Sequence, residues 1–423
     1  MATYLAKTFG SAGNQRTWTW SGWVKFTGGG ADETIFSGGI GLGVSGNRVV
    51  FQTLSGEAEK VMAFSGNTSE FAFKTSASLR DKSAWYHFVL AMDTTQATAS
   101  NRFKMYINGS QVTDTAQLTY PSQNLELGMN NNEQQYIGLL TSDNNLPFNG
   151  YMADVYFIDG TQLTAASFGE TDSTTGIWKP KTYSGSYGTN GYRLEFKNSG
   201  ALGTDTSGNS NTWTVNNAGT GAQVVDTPSN VFSTFNPLIE RPLEGPATFA
   251  QGALQASGTS KMAFSSIALP SSGKWYAEFK ATAGTSTAYV GLRDVDDFTA
   301  DGNSNRLFYR NDGQKDTGSG ASSYGNSWTT NDIISIAANV DDSEVTFYKN
   351  GTAQDSGTAI SQNCANQYFF VATGGGWSFQ ANFGNPSFSI SSGNADANGY
   401  GNFEYAVPSG YYALCTENLN TYG

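Results

Sequence analysis

The sequence contains one histidine and two cysteines, so few of its residues suit nucleophilic catalysis or soft-metal binding. His87 lies in the strand-like segment WYHFVLAMD, where alternation places it on the opposite face from Tyr86 and Phe88. Because no second histidine exists to orient it, we interpret His87 as a structural residue and not as a general base. Cys364 and Cys415 can form one disulfide at most, and free buried thiols are the alternative.

Oxygen-bearing side chains of the kind that calcium prefers gather in two segments. The first segment is DTSGNSNTW, which begins at Asp205, and the second is RDVDDFTADGNSN, which contains Asp294. The candidate calcium ligands are Asp205, Asn209, Asn211, Asp294, Asp296 and Asp297. Their spacing matches no EF-hand loop, so a solvated loop is the alternative interpretation of each segment.

Aromatic and amide side chains in glycine-rich loops suggest carbohydrate binding, because sugar rings stack on aromatic faces and amides bind hydroxyl groups. The candidate ligand-binding residues are Tyr183, Tyr187, Asn190, Asn130, Asn131, Asn132, Tyr324, Trp328 and Tyr400. The alternative is that these side chains pack turns against the ends of a sandwich.

Cleavage of a glycosidic bond needs two carboxyl groups about 5 to 10 Å apart in a cleft. No strand-like segment of the sequence is rich in acidic residues. Glu57 and Glu59 are two positions apart, but they lie in the loop-like segment SGEAEK. We therefore expect that the chain is not an enzyme.

The composition excludes several classes of partner. Charged residues make up only 14 % of the chain, and 50 of its 423 residues are glycine. The formal net charge is −12 and no basic run of five residues occurs, so nucleic acid is not an expected partner. The sequence shows neither an apolar run of membrane-spanning length nor a signal-peptide pattern, so we expect a soluble chain without membrane insertion.

Alternation of apolar and polar residues predicts strands throughout the chain. Clear examples are TWTWSGWVKF from Thr17, YMADVYFIDG from Tyr151 and KWYAEFKA from Lys274, and each is read as a half-buried strand. The segment LTAASFGE, from Leu163, predicts one short helix. The pattern as a whole predicts an all-β fold of two consecutive β-sandwiches.

Four prolines within nineteen residues, from Pro228 to Pro246, mark the boundary between these sandwiches. The predicted division is a first sandwich over residues 1–235, a linker over 236–249, a second sandwich over 250–415 and a tail over 416–423. Each sandwich contains a strand pair that closes on Asn-Gly, at Asn108-Gly109 and Asn350-Gly351, and this dipeptide predicts a tight turn.

The first half of the chain resembles the laminin-G-like, concanavalin-type jelly rolls found in structural proteins of tailed phages. The resemblance spans residues 3–235 and rests on TWTWSGWVK, SAWYHFVLAMDTTQATASNRFKMYINGSQV and FNGYMADVYFIDGTQLTAASFGE, with GIWKPKTYSGSYGTNGYRLEF. It implies a fold and a place in a virion, and it implies no catalytic residues. The segment DTSGNSNTW comes late relative to the family pattern, so we expect it to complete the sheet that the first strands open.

The second half resembles a SPRY-type sandwich as used in phage fibre and appendage proteins. This resemblance spans residues 250–415 and rests on GKWYAEFKA, TAYVGLRD, FYKNG and GNADANGYGNFEYAVPSGYYALCTENL. SPRY domains are interaction modules with a concanavalin-like double sheet, so the resemblance implies two related architectures in one chain.

The two resemblances together imply a non-enzymatic structural protein of a phage particle, assembled in the host cytoplasm and exposed on the particle surface. We expect a fibre or appendage that contacts host-surface glycan or other virion proteins, as a homo-oligomer and preferably a trimer. One alternative is a capsid decoration or head-fibre protein. The alternative of another class is a released carbohydrate-active enzyme or its binding module.

Overall fold

The computed structural model describes residues 2–26, 32–39, 48–54, 60–66, 68–141, 145–173, 175–219, 222–239, 247–284, 287–294, 305–364 and 368–423. Contacts divide the chain into two compact units. The first unit is Met1–Arg80 with Ala84–Gln223, and the second is Val224–Gly423 with Asp81–Ser83.

The first unit consists of antiparallel strands in two main sheets. Its described strands are β1 (Tyr4–Thr8), β2 (Thr17–Phe26), β3 (Glu33–Gly38), β4 (Val49–Leu54), β5 (Lys60–Ser65), β6 (Ala72–Thr75), β7 (Tyr86–Asp93), β8 (Phe103–Ile107), β9 (Ser110–Gln111), β10 (Thr115–Thr119), β11 (Gln134–Ile137), β12 (Gly150–Asp159), β13 (Gly169–Thr171), β14 (Trp178–Pro180), β15 (Tyr192–Leu194) and β16 (Thr214–Asn216). The larger sheet has the order β10-β6-β5-β4-β3-β11-β1-β16, and the smaller has the order β15-β12-β2-β7-β8-β9. Strands β13 and β14 form a separate hairpin.

The second unit also has two main sheets. Its described elements are β17 (Thr248–Ala250), β18 (Gln255–Gly258), β19 (Lys261–Phe264), β20 (Lys274–Gly284), β21 (Ala288–Asp294), β22 (Arg306–Arg310), β23 (Gln314–Asp316), β24 (Ala321–Ser323), β25 (Ile333–Asn339), β26 (Glu344–Lys349), β27 (Thr352–Ala353), β28 (Ile360–Ser361), β29 (Tyr368–Gly374), β30 (Trp377–Asn382), β31 (Tyr412–Ala413) and the helix α1 (Thr416–Tyr422). One sheet runs β17-β18-β30-β20-β25-β26-β27, with β28 beside β26 and β31 parallel to β20, and the other runs β19-β29-β21-β22-β23-β24.

Each unit has its own aromatic core between its two sheets. In the first unit Trp18 and Trp20 of β2 are fully buried, and the Trp20 ring stacks on Phe36 with centroids 5.6 Å apart. In the second unit Phe279 of β20 packs edge-on against Phe383, with centroids 5.7 Å apart. The predicted all-β fold of two consecutive β-sandwiches is confirmed.

In each unit, a segment that follows most of the strands packs on the outer face of one sheet, and we call this segment a cover. The first cover, residues 161–191, lies on the outer face of β2, β7 and β12, where its Phe168 packs against Tyr156 of the sheet with centroids 5.2 Å apart. The second cover, residues 394–415, lies on the outer face of β20 and β25, where Phe403 packs on Tyr276 with centroids 5.1 Å apart. The covers explain why β2 and β20 are buried on both faces, although alternation predicted half-buried strands.

Two boundaries differ from the sequence prediction, and one short element takes a 3-10 form. Contacts divide the chain after Gln223 and not after residue 235, because Phe235 is buried in the second core and Phe232 bridges to Cys415. The predicted tail over 416–423 is the helix α1, whose Leu419 packs against that core. The one short helix predicted in Leu163–Glu170 is a 3-10 helix over Ala165–Ser167. Proline limits strand pairing but not packing, so Phe232 and Phe235 can pack in the second unit although prolines flank them. Residues 240–246 of the predicted linker lie outside the described residues.

Other local predictions hold. The late segment after Asp205 does complete the first sheet, because Thr214–Asn216 pair with Tyr4–Ala6. Asn108, Gly109, Asn350 and Gly351 all have positive φ, as the predicted tight turns require. Cys364 and Cys415 are free and buried.

Candidate functional site

His87 is buried beneath the first cover, with 1 % of its surface exposed. Its ring stacks on Trp23 of the neighbouring strand β2, with centroids 4.8 Å apart, and on Trp178 of the cover. The indole Nε1 of Trp178 donates to Nδ1 of His87 at 3.0 Å, and Nε2 lies 2.8 Å from Oγ of Ser21.

These contacts fix the tautomer of His87 and remove it from catalysis. Because the indole can only donate, Nδ1 must be unprotonated, so Nε2 carries the hydrogen and donates it to Ser21. Burial lowers the pKa of His87 to about 3, which keeps the ring neutral. A histidine that donates to a serine cannot also take the serine proton, so Ser21 and His87 do not form a nucleophilic pair.

Tyr183 and Tyr187 belong to the first cover and are only partly exposed. Their rings pack edge-to-face with centroids 5.3 Å apart, and Tyr183 also contacts Phe168. The hydroxyl of Tyr183 donates to the carbonyl of Ser186, so it is used within its own loop. This pair therefore holds the cover on the sheet.

Asn130 and Asn190 are buried and meet at Asp159, the last residue of β12. Nδ2 of Asn130 donates to Oδ1 of Asp159 at 2.6 Å, and Nδ2 of Asn190 donates to Oδ1 of Asn130 at 2.9 Å. Asn131 is 6 % exposed and its Oδ1 accepts from the backbone of Glu133, whereas Asn132 is exposed. The amides of Asn130, Asn131 and Asn190 therefore connect loops, and Asn132 is the exposed member of these four candidates.

The three candidates in the second unit are also packed side chains. Tyr324 and Trp328 are 7 % and 4 % exposed and belong to the core, and burial raises the pKa of Tyr324 to about 12. Tyr400 lies in the second cover, where its backbone closes a turn with Asp396. Most of the sequence-predicted ligand-binding residues are therefore packed within their own unit.

The first predicted calcium segment is closed by its own hydrogen bonds. Each carboxylate oxygen of Asp205 accepts two hydrogen bonds. Oδ1 accepts from the backbone of Arg193 and Ser207, and Oδ2 accepts from the backbone of Asn211 and the hydroxyl of Ser207. The amide nitrogens of Asn209 and Asn211 both donate to the carbonyl of Gly191. Protein donors therefore already occupy the carboxylate oxygens of Asp205, which a bound cation would need, and they stabilise the loop.

The second predicted calcium segment is described only in part. Asp294 ends β21, whereas Asp296 and Asp297 lie outside the described residues, as do Glu57 and Glu59. Within the described part of the chain, no group of three or more His, Cys, Asp or Glu side chains is placed to hold a metal ion.

Glu278 is a fully buried carboxylate that the sequence analysis did not identify. It lies on the outer face of β20 beneath the second cover, and its oxygens accept from the backbone of Glu404 at 3.0 Å and of Tyr405 at 2.9 Å. Asn382 and Tyr276 also donate to it. Burial raises the pKa of Glu278 to about 7, against the lowering effect of these hydrogen bonds. The two backbone contacts hold the cover, and the buried Glu278 has no access to a substrate.

A polar cavity of about 390 Å³ lies on the outer face of β11, β1 and β16 in the first unit. The register explains which side chains line it: Ala6 pairs with Tyr136 and Thr214, and Tyr4 pairs with Asn216, so these five side chains share one face. The lining residues are Tyr4, Ala6, Lys7, Thr8, Gln134, Tyr136, Thr212, Thr214 and Asn216. Leu5 and Val215 point the other way, into or against the core.

The cavity combines one aromatic wall with hydrogen-bonding groups. The partly exposed ring of Tyr4 lies beside the buried ring of Tyr136, with centroids 6.0 Å apart. Oε1 of Gln134 accepts from the Tyr136 hydroxyl at 2.7 Å, so the amide nitrogen of Gln134 remains a donor. Nδ2 of Asn216 donates to the carbonyl of Thr214, which leaves Oδ1 of Asn216 as an acceptor. A ring of a neutral ligand could stack on Tyr4 while its hydroxyl groups bind these amides.

The sequence analysis missed this cavity although its signal is present. The segments YLAKT and TWTVN both alternate, with Leu5, Trp213 and Val215 directed inward and an aromatic or polar residue between them. The predicted pairing of the late segment with the first strands would have placed Tyr4, Thr214 and Asn216 on one outer face. The loops were favoured as candidates because they are richer in tyrosine and asparagine than these strands.

Comparison with known families assigns a domain to each unit. Residues 3–167 match the model of the concanavalin A-like lectin/glucanases superfamily, and residues 274–386 match the model of the SPRY domain. The chain therefore contains a laminin-G-like, concanavalin-type domain followed by a SPRY domain. Such domains are typically binding and interaction modules. A search of curated proteins finds no match to the chain.

Three solved structures each match about a third of the chain. The SPRY domain of human HERC1 is 17 % identical, with 35 % of this chain and 96 % of that chain covered and a TM-score of 0.29. The heptameric SAP-like pentraxin from Limulus polyphemus is 14 % identical, with 38 % and 72 % covered and a TM-score of 0.29. Stonustoxin is 12 % identical, with 36 % and 27 % covered and a TM-score of 0.28. Among the described residues, no helix has the length and apolar character needed to span a membrane.

Proposed function

We propose that this chain is a non-enzymatic binding component of a phage particle and that its first unit binds a saccharide in the cavity beside β1. The observation that carries the proposal is the partly exposed Tyr4 ring in a cavity that also holds the amides of Gln134 and Asn216. Its volume of about 390 Å³ lies within the range of about 300 to 1,000 Å³ that small-molecule sites occupy. The concanavalin A-like lectin family model over the same unit supports a carbohydrate ligand.

The virion setting is supported by the resemblance of both halves to tailed-phage proteins. A fibre or appendage would present many copies of one weak site, and repetition around a homotrimer would raise the effective concentration of each site. Immunogold labelling of phage particles with an antibody against this chain tests the setting. Label on the tail or its fibres agrees with the proposal, label over the head favours a decoration protein, and unlabelled particles contradict a virion role.

A glycan array with the full chain tests saccharide binding and its location. In the variant Tyr4→Leu, leucine keeps apolar contact with Tyr136 but removes the aromatic face. We expect its affinity to fall about tenfold, as the loss of roughly 1.4 kcal/mol of ring stacking predicts. Tyr183→Leu is the matched variant, because Tyr183 is another partly exposed tyrosine that packs on aromatic neighbours of the same unit.

Two results would contradict the proposal. The first is a wild-type chain that binds no saccharide on the array, with or without calcium. The second is binding that Tyr183→Leu abolishes and Tyr4→Leu leaves unchanged, which would move the site to the first cover. Release of reducing ends from a bound polysaccharide would instead support the carbohydrate-active enzyme.

A further inference from the structure

The side chains that face the cavity form an uncharged floor along β1. Alternation places Tyr4, Ala6 and Thr8 on this face of the strand. Lys7 lies on the opposite face, where its Nζ is 5.7 Å from the centroid of the Phe9 ring. Apart from Lys7, none of the described residues that line the cavity is charged. A ligand therefore meets a neutral surface on a chain whose formal net charge is −12.

The hydrogen-bonding groups of this floor lie at its two ends. At one end Tyr4 pairs with Asn216, so the acceptor Oδ1 of Asn216 lies beside the aromatic ring. At the other end Thr8 pairs with Gln134, so the donor amide nitrogen of Gln134 lies beside a hydroxyl group. Ala6 lies between the two ends and contributes only a methyl group. Four residues along β1 separate the ends by about 13 Å, which is longer than one pyranose ring.

We propose that the ligand of this cavity is a neutral oligosaccharide of at least two rings that lies along β1. One ring stacks on Tyr4 and donates a hydroxyl hydrogen to Asn216, and a second ring accepts from the amide of Gln134 beside Thr8. This inference rests on the proposed saccharide function of the cavity. Sugar hydroxyl groups both donate and accept, as this mixed set of donors and acceptors requires, and the negative charge of the chain disfavours an anionic ligand.

The glycan array that tests saccharide binding also tests the charge of the ligand. We expect the tightest-binding saccharides to be neutral. Their affinities should change by less than about twofold when sodium chloride is raised from about 0.05 M to about 0.5 M, because no ion pair is screened. A sialylated, uronic-acid-containing or phosphorylated saccharide as the tightest ligand would overturn the inference and would leave saccharide binding intact.

A length series tests the second ring by titration calorimetry with the full chain. The probes are the monosaccharide, disaccharide and tetrasaccharide of mannose, of glucose and of galactose, with the same series of the tightest neutral sugar on the array. We expect the disaccharide of at least one series to bind about tenfold more tightly than its monosaccharide. Equal affinities for the monosaccharide and the disaccharide in every series would overturn the two-ring ligand.

The variant Gln134→Glu separates the two ends of the floor. Its carboxylate can still accept from the Tyr136 hydroxyl but donates no hydrogen. We therefore expect the disaccharide to bind about fivefold more weakly, with binding of the monosaccharide unchanged. Tyr4→Leu should instead weaken the binding of both saccharides. Gln111→Glu is the matched control, because Gln111 is an exposed glutamine of the same unit that does not line the cavity.

The outcomes separate this inference from the proposed function. Unchanged binding of the disaccharide by Gln134→Glu would overturn the second ring and leave saccharide binding intact. Equal losses in Gln134→Glu and Gln111→Glu would show a general effect of the added charge and would also overturn it. A wild-type chain that binds no saccharide on the array overturns both proposals.

Discussion

Each cover buries one titratable side chain on the outer face of a sheet, a basic histidine in the first unit and an acidic glutamate in the second. In the first unit Trp178 of the cover donates to the buried His87, and in the second unit the backbone of Tyr405 donates to the buried Glu278. Burial disfavours the charged form in both cases, so the pKa of His87 falls and that of Glu278 rises.

An Asn-Gly turn of the same type contacts the cover in each unit. Oδ1 of Asn108 accepts from the backbone of His87, and Oδ1 of Asn350 accepts from the backbone of Ile333. The glycine that follows each asparagine packs against an aromatic ring of the cover. A Cβ atom at Gly109 would lie 2.7 Å from Trp178, and one at Gly351 would lie 2.5 Å from Tyr405.

The contrast with the cavity shows where binding is to be sought. Beneath the covers, His87 and Glu278 on the outer faces of the sheets each accept hydrogen bonds from the covering segment. Beside β1, the polar side chains of Gln134 and Asn216 and the ring of Tyr4 line an open space instead. Tyr183, Tyr187 and Tyr400 in glycine-rich loops therefore belong to the covers, and the proposed ligand-binding surface lies on the strands β1, β11 and β16.

The largest expected effect is that of Glu278→Ala on the second unit. The substitution leaves the backbone hydrogens of Glu404 and Tyr405 and the amide of Asn382 without their buried acceptor. We expect the free energy of unfolding at pH 5 to fall by about 4 kcal/mol, measured by urea titration. A loss below about 1 kcal/mol would contradict the role of Glu278 in holding the second cover.

The effect of Glu278→Ala also depends on pH. The folded pKa of Glu278, about 7, is raised above the ordinary value of 4.5. The stabilisation from Glu278 is therefore fully present below pH 4.5 and is lost as the pH rises through 7. The cost of the substitution should shrink by about 3 kcal/mol between pH 5 and pH 8, and a cost that grows over this range would refute the raised pKa.

His87→Gln should show the opposite pH dependence in the first unit. The folded pKa of His87, about 3, is lowered from 6.5, so its contribution is present above pH 6.5 and is lost as the pH falls toward 3. Between pH 7 and pH 4 the wild type should lose about 3 kcal/mol of unfolding free energy relative to His87→Gln. Since His87 is the one histidine of the chain, no other imidazole contributes. A difference that stays constant with pH would contradict the neutral, buried ring.

The smallest effect concerns the turn glycines. Gly109→Ala and Gly351→Ala should each lower the free energy of unfolding by about 2 kcal/mol, because the new methyl group meets Trp178 or Tyr405. Thermal denaturation measures this loss as a lower melting temperature. The controls are Gly160→Ala and Gly399→Ala, which share a positive φ but have no atom within 4 Å of the new Cβ. These should cost about 1 kcal/mol from backbone strain alone. Equal losses in all four variants would show that the aromatic contacts add nothing.

Much of the fold could be predicted from the sequence because alternation and turn residues act locally. TWTWSGWVKF is a strand, and Asn108-Gly109 and Asn350-Gly351 turn where their φ angles require. The segment from Val224 to Phe235 was assigned to the first half because the resemblance was taken to span residues 3–235, whereas Phe232 and Phe235 are buried in the second unit.

The candidate site was harder to predict because exposure depends on tertiary packing. The loop residues Tyr183 and Asn190 have the composition of a sugar-binding surface, but the cover that contains them lies against a sheet. Tyr4 and Asn216 are more than 200 positions apart, and they meet only because β1 and β16 pair. Alternation within each strand shows which side chains point outward, but only the pairing of β1 with β16 brings the two strands together.

The central claim is that the cavity beside β1 binds a saccharide, and hydrogen–deuterium exchange of the full chain tests it most directly. The chain would be compared with and without a saturating amount of the tightest-binding saccharide from the array. We predict slower exchange in peptides that contain β1, β11 and residues 212–216, and unchanged exchange in both covers. Protection confined to residues 183–190, or to residues 324–328 of the second unit, would contradict the claim.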